Sequence, residues 1–340
     1  MSGVVWRMAG LLAVLVVVTV VSLGVGAKSI PPGEVVSILL WPDDSAHQRA
    51  HVVIIWEARL QRVILAILVG AGLGAAGAGY QGLFRNPLAD PFVIGASSGA
   101  ALGATIALTA GFTAAWLGLS LVSLSALIGA MAAVAVVYAI ASLGNQLPAV
   151  GLLLAGAAVA SFVGALVTLL MVLNDDQIMA VLAWLMGSLA GRGWPAVWAS
   201  GPLIVLGAIG LWLLARPLDA LTFGEESAAS LGVRMTRLRL AVVVMASLAT
   251  AAAVSAGGII GFVGLVGPHA ARLLVGPRHA WLVPGSALLG ALLLLLADDV
   301  ARTAAAPTEL PVGIFTALLG GPFFLYLLRS HSARLGTGPD

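Results

Sequence analysis

Apolar runs of about 20 residues, each long enough to cross the hydrocarbon core of a bilayer, recur along this chain from one end to the other. No other feature constrains the fold as tightly. A backbone inside lipid must satisfy its own hydrogen bonds, and consecutive apolar runs of this length do so as helices. The polar stretches between runs are short, so residues 1–340 read as a single all-α integral membrane domain. Composition agrees: 61% of the residues are hydrophobic, 9% are charged and mean hydropathy is +1.09, whereas a soluble domain carries about a quarter charged residues.

Ten transmembrane helices fit this pattern, near 5–27, 60–82, 91–110, 116–141, 149–173, 195–215, 238–256, 258–272, 281–297 and 311–328. The third is rich in glycine and serine, and the eighth is short. A further apolar segment, Ile178 to Leu189, is too short to span and reads as a helix lying at the surface or re-entering, beside Trp184 and Trp194. The first run ends in Val25-Gly26-Ala27, which imitates a signal-peptide cleavage site. It is longer than the apolar region of a signal and many spans follow, so it is expected to be retained as the first helix.

Basic residues set the orientation. With ten spans both termini share a side, and the 16 Lys and Arg divide unequally. Arg7, Arg85, Arg216, Arg234, Arg237, Arg239, Arg272, Arg278, Arg329 and Arg334 fall on the side of the termini. Lys28, Arg49, Arg59, Arg62, Arg192 and Arg302 fall on the other, with Asp43, Asp44, Asp175, Asp176, Asp298, Asp299 and Glu309. Ten basic residues against six place both termini in the cytoplasm.

Several chemistries are excluded. The chain has no cysteine, so it forms no disulfide, thiolate metal site or cysteine nucleophile. Its one lysine, Lys28, precedes Ser29, but Ser22 and Ala27 stand where a phosphate-binding loop needs glycines. A net charge of +2, scattered over loops, gives no footprint for nucleic acid. His47 and His51 lie in a polar external stretch that reads as a solvated loop, and His269, after Pro268, reads as a capping or packing residue. The span interiors are almost free of the ionisable groups that bind a coupling ion in secondary carriers. The energy source is therefore expected outside this polypeptide, with an ion-coupled carrier or passive pore as the alternative. Asp298 and Arg302 are spaced for a local i, i+4 ion pair.

Glycine spacing indicates how the helices meet. Gly70, Gly74 and Ala78 lie four apart, as do Gly95, Gly99 and Gly103, and such ridges let two backbones approach closely in lipid. In Arg85-Asn86-Pro87-Leu88-Ala89-Asp90-Pro91 two prolines four apart forbid a continuous helix, so this segment is a shaped turn. The longest cytoplasmic loop, about 216–239, holds Phe223-Gly224-Glu225-Glu226-Ser227-Ala228-Ala229-Ser230-Leu231-Gly232, a short helix flanked by glycines.

At these residues the sequence resembles the iron-siderophore, haem and vitamin B12 permease family, the type II ATP-binding-cassette importers. RNPLADP with its SSGAALG continuation is one match. GGIIGFVGLVGPHAARLL, from Gly257 to Leu274, is a second and more specific one. Leu310-Pro311-Val312-Gly313 with ALLGGPF, Ala317 to Phe323, is a third, and the likeness runs over about residues 56–329. The resemblance implies a bacterial inner-membrane permease of ten helices acting as a homodimer. Two separate subunits would hydrolyse ATP with magnesium in the cytoplasm, and a periplasmic or lipid-anchored substrate-binding protein would dock outside. This chain would be no enzyme and would bind no cofactor itself.

By the same resemblance, Gly224, Glu225, Glu226, Ala228, Leu231 and Gly232 belong to the helix that couples to the ATPase. Asn86 and Leu88 match positions that narrow the cytoplasmic end of the path. Arg59, Arg62 and Arg302 match external arginines that meet acids of the binding protein; Arg59 and Arg62, three apart, share a helical face. Gln61 stands where the family often has proline to make a turn. The implied cargo is a metal chelate, a ferric siderophore first, with haem or cobalamin as alternatives.

Overall fold

The computed structural model describes residues 2–42, 49–112, 115–116, 119–143 and 149–335. Among them a helix stands at each expected span: Ser2–Gly24, Leu60–Phe84, Ala96–Thr109, Leu121–Ala141, Ala149–Leu173, Gly193–Leu213, Met235–Gly257, Val263–Val275, His279–Thr303 and Val312–Leu335. These are the first to tenth spans below. Seven are long and apolar enough to cross a membrane alone, while the third, eighth and tenth contribute shorter apolar stretches. The chain is thus a multi-pass membrane protein, all-α apart from a two-residue ladder pairing Ala115–Trp116 with Leu119–Ser120.

The second span is the axis of the bundle, packed by the sixth, seventh, eighth and ninth. Its glycine ridge explains how. A Cβ at Gly70 would overlap the Gly290 carbonyl, and one at Gly74 the Ser286 carbonyl, both on the ninth span. Backbone packs on backbone there, as the spacing predicts. The second ridge holds in part: Gly99 meets Gly129 and Gly103 meets the Ser125 carbonyl, locking the third span to the fourth. Gly95 does otherwise. It adopts φ 83° and caps the third helix, a conformation costly for any residue with a Cβ.

Several boundaries differ from the sequence reading. Pro91–Ile94 is a 3-10 turn, so the third helix begins at Ala96. Trp116 lies in the ladder, and the fourth helix begins at Leu121, capped by Ser120. Residues 258–262 are not helical, so the eighth span is only 13 residues, about 20 Å. No turn forms at Gln61. The helix runs unbroken from Arg49 to Phe84, with a π-turn at Ile54–Arg59. Glutamine keeps the backbone N–H that proline lacks, so the helical ladder can continue.

Two elements went unforeseen before residue 60. Helix Pro32–Leu40 buries Val35 and Ile38. Helix Arg49–Val53 carries His51, which is 7% exposed and pairs with Glu34 at 2.5 Å rather than lying in a solvated loop. His47, Asp43 and Asp44 lie outside the described residues. Ile178–Leu185 is a one-sided helix: Val181 and Trp184 are buried, Met179 is exposed. Its trailing loop is fixed by Ser188 N–H donating to the Gly257 carbonyl at 2.7 Å.

Candidate functional site

Polar groups concentrate at opposite ends of the second span, about 37 Å apart for 25 residues at 1.5 Å each. At the C-terminal end, Arg85 stops the helix in a left-handed conformation, φ 49°. Side chains then shape the turn. Asn86 Oδ1 accepts from Leu88 N–H at 2.9 Å, Gln81 Nε2 donates to the Ala89 carbonyl at 3.3 Å, and Asp90 Oδ1 accepts from Phe92 N–H at 2.8 Å. Asn86 is exposed and Leu88 partly buried at this end of the bundle. Burial pushes the Asp90 carboxyl up to about 6, against the lowering effect of its bond from Phe92.

The loop with the short glycine-flanked helix lies beside this turn. Gly224, at φ 108°, faces the Arg85 guanidinium, and helix Glu225–Ser230 follows. Ala228 is fully buried and anchors the helix, while Gly232, φ 85°, reverses the chain. Glu226 is exposed, and so are the apolar Phe223 and Leu231, at 79% and 70%. Glu225 is not free: Arg239 Nη2 donates to its carboxylate at 2.6 Å. That partner, in the first turns of the seventh span, is 14 residues away and carried no sequence signal.

At the other end Arg59, Arg62 and Arg302 converge, and all three are at least nine-tenths buried. Arg62 pairs with Asp298 at 2.9 Å and with Glu309 at 2.7 Å. Arg302 contacts Asp298 at 3.4 Å, the anticipated i, i+4 pair, and also bonds Asp299. Among the described residues Arg59 has only carbonyl partners, Leu23 at 2.8 Å and Lys28. Their edges line a cavity of about 490 Å³ that also takes in Lys28, Arg192, Glu57 and Glu309. Arg62 and Arg302 are neutralised by Asp298, Asp299 and Glu309, so its cationic character rests on Lys28, Arg59 and Arg192, which have no carboxylate partner among the described residues. Lys28 and Arg192 were not among the candidates. Arg192 donates to the Ser188 carbonyl at 3.3 Å, and burial lowers its pKa from the usual arginine value.

GFVGLVGPH touches both of the other motif segments. A Cβ on Gly264 would overlap the Pro91 ring, so GFVGLVGPH packs on RNPLADP. Phe262, held left-handed at φ 67°, lays its ring on Gly320 of ALLGGPF. His269 meets Phe323 edge-on at 5.5 Å, the packing role expected of it. Distant stretches of sequence thus form one continuous contact beside the second span.

Comparison with known proteins fits this arrangement. The model of the FecCD transport family matches residues 14–330. The hemin transport system permease protein HmuU of Yersinia pestis is 41% identical, over 96% of this chain and 96% of its own. The Fe(3+)-citrate import system permease protein YfmE of Bacillus subtilis is 40% identical, over 95% of each. A metal-chelate-type ABC transporter solved in an inward-facing conformation superposes with a TM-score of 0.82 at 34% identity, covering 95% of this chain and 98% of that one. With a family match across nearly its whole length and the three motif segments joined through GFVGLVGPH, this chain belongs to the FecCD transport family and is a permease of the ATP-binding-cassette import type.

Proposed function

We propose that the protein carries a ferric siderophore inward across the cytoplasmic membrane as one half of a homodimer. The end bearing Arg85 and Glu225–Ser230 faces the cytoplasm, where two ATP-binding subunits dock and hydrolyse ATP with magnesium. The end bearing Arg59, Arg62 and Arg302 receives a periplasmic or lipid-anchored binding protein. Near full-length similarity to an Fe(3+)-citrate import permease supports a ferric chelate as the cargo. Haem is the second reading, favoured by the hemin permease of equal coverage.

The two ends supply the mechanics. Leu231 is apolar and exposed on a helix too short to bury it, which suits insertion into a partner's groove. The Arg85 guanidinium lies beside Gly224, so the coupling helix stands next to the turn carrying Asn86 and Leu88. The cationic cavity at the far end offers rim charge to acidic residues, which governs association rate more than affinity. Mass spectrometry and optical spectra of ligand retained by the purified complex test the cargo. A ferric siderophore supports the proposal, whereas a porphyrin or a corrinoid overturns it. Uptake into sealed vesicles tests the energy source: transport without the ATPase subunit would refute ATP coupling.

A further inference from the structure

The end of the bundle that carries Arg85 contains a second cleft, about 250 Å³, walled by Gln81, Arg85, Thr222, Arg272 and His279. Three elements meet there: the end of the second span, the approach to the coupling helix, and the junction of the eighth and ninth spans. Two guanidinium groups line it and no carboxylate does. The nearest acid in the hydrogen-bond network, Asp219, is occupied. Its Oδ1 accepts from His279 N–H at 2.8 Å and meets His279 Nδ1 at 2.7 Å.

Three buried atoms of the wall have no protein partner among the described residues: Arg272 Nη1, His279 Nε2 and Gln81 Oε1. His279 is 3% exposed and Gln81 2%. Unsatisfied buried polar atoms are rare singly, and three of them share this wall. The groups are chemically complementary to one kind of ligand. The Asp219 carboxylate holds a proton on Nδ1, which makes Nε2 of the neutral ring an acceptor. Gln81 Oε1 is an acceptor too, because its Nε2 is committed to the Ala89 carbonyl. The arginines donate. Gly82 lets the imidazole pack closely on the end of the second span, since a Cβ there would overlap Nε2.

We propose that this cleft binds a phosphate-type oxyanion carrying a hydroxyl group: the phosphoglycerol headgroup of an anionic lipid, or free phosphate. The arginines take the phosphate oxygens, and Gln81 with His279 takes the hydroxyl. The depth suits a headgroup. Leu273 and Leu274, next to Arg272, are exposed, and the Trp212 indole donates to the Ala280 carbonyl at 3.0 Å, as tryptophans do at a membrane interface. Bound there, the anion bridges Arg85 of the gate turn to the approach of the coupling helix.

Native mass spectrometry and thermal unfolding of the full chain in detergent test this, with phosphatidylglycerol, phosphatidylcholine and inorganic phosphate as separate probes. Phosphatidylglycerol should bind and raise Tm where phosphatidylcholine does not. Stabilisation by inorganic phosphate alone assigns the site to the free ion, and displacement of the lipid by phosphate places both in one cleft. Arg272→Gln and Arg85→Gln should each weaken binding about tenfold, the loss of one charge-assisted bond. Arg85 is exposed, so its variant reads out even where Arg272→Gln fails to fold. Arg216→Gln, an exposed arginine outside the cleft, should have no effect. Equal binding of both lipids without a phosphate effect, no binding by any probe, or an equal loss in Arg216→Gln overturns the proposal.

Discussion

Arg62 and Asp298, 236 residues apart, close a two-pronged ion pair, with Nε to Oδ2 at 2.9 Å and Nη2 to Oδ1 at 2.9 Å. Asp298 is fully buried. Removing one partner leaves a bare charge in the bundle, so Asp298→Ala should cost about 3–5 kcal/mol. Arg62→Met combined with Asp298→Leu should cost less than either single change, because no buried charge is stranded and Arg302 keeps Asp299. Thermal unfolding in detergent checks the order; a double variant weaker than both singles would contradict it.

Leu231→Asp should leave the fold intact, because the side chain is 70% exposed. In the assembled importer it would bury an unpaired carboxylate in the partner's groove, weakening ATPase association about tenfold or more. Co-purification of the ATPase subunit at parental yield would remove Leu231 from the interface.

Gly74→Ala and Gly77→Ala should each destabilise by about 1–3 kcal/mol or more, the cost of overpacking. Each methyl would overlap a carbonyl, of Ser286 and Gly264 respectively. Gly164→Ala is the control, since nothing lies within 4 Å of its added Cβ. Similar Tm values for all three would show that the close helix contacts carry no energy.

Asp90 makes stability depend on pH. Burial raises its carboxyl to about 6 in the fold from the usual aspartate value of 3.8, so the folded chain binds this proton more tightly than the unfolded one. Stability from this group is therefore highest in acid, falls as pH rises between those two values, and is flat above. Asp90→Asn keeps an oxygen to cap Phe92 N–H and should abolish that slope. A slope unchanged between parent and variant would assign it to another group.

Lys28→Gln and Arg192→Gln should slow docking of the binding protein and flatten its salt dependence while leaving the ion pairs of Arg62 and Arg302 in place. Neither residue has a carboxylate partner among the described residues. Rim charges act over about 10 Å at 0.1 M salt, so the difference should be largest at low salt. Stopped-flow association rates equal to the parent's would exclude them.

The spans were legible because bilayer thickness filters sequence directly: a run either reaches across or it does not. The break at RNPLADP was legible from two prolines, though not the left-handed Arg85 that ends the helix before them. Spacing showed that Gly70 and Gly74 form a ridge but could not name Gly290 and Ser286 as its partners. The arginine cluster shows the limit more sharply. Arg59 and Arg62 were recognisable as a pair on one face, yet Arg62 is buried against Asp298 and Glu309 from the far end of the chain, and Arg59 against the Leu23 and Lys28 carbonyls. Phe262 carries no mark of its left-handed backbone, because only the ring's seat on Gly320 requires it. Helix Pro32–Leu40 escaped notice because nine residues are too few for a hydropathy signal of this kind.

The glycine contacts also decide which parts of the protein can move. A slip of one turn between the second and ninth spans, about 5.4 Å, would press Ala66 or Ala78 against a carbonyl that now meets only hydrogen. The pair is therefore a keyed shaft, and the third and fourth spans, locked at Gly99, Gly103 and Gly129, form another. Between the two lies a cluster of Ala100, Ala104, Ala126, Ala130, Ala251 and Val254, closed by Trp184 of the short helix. The keyed contacts resist sliding of individual helices and leave that cluster as the softer boundary inside the bundle.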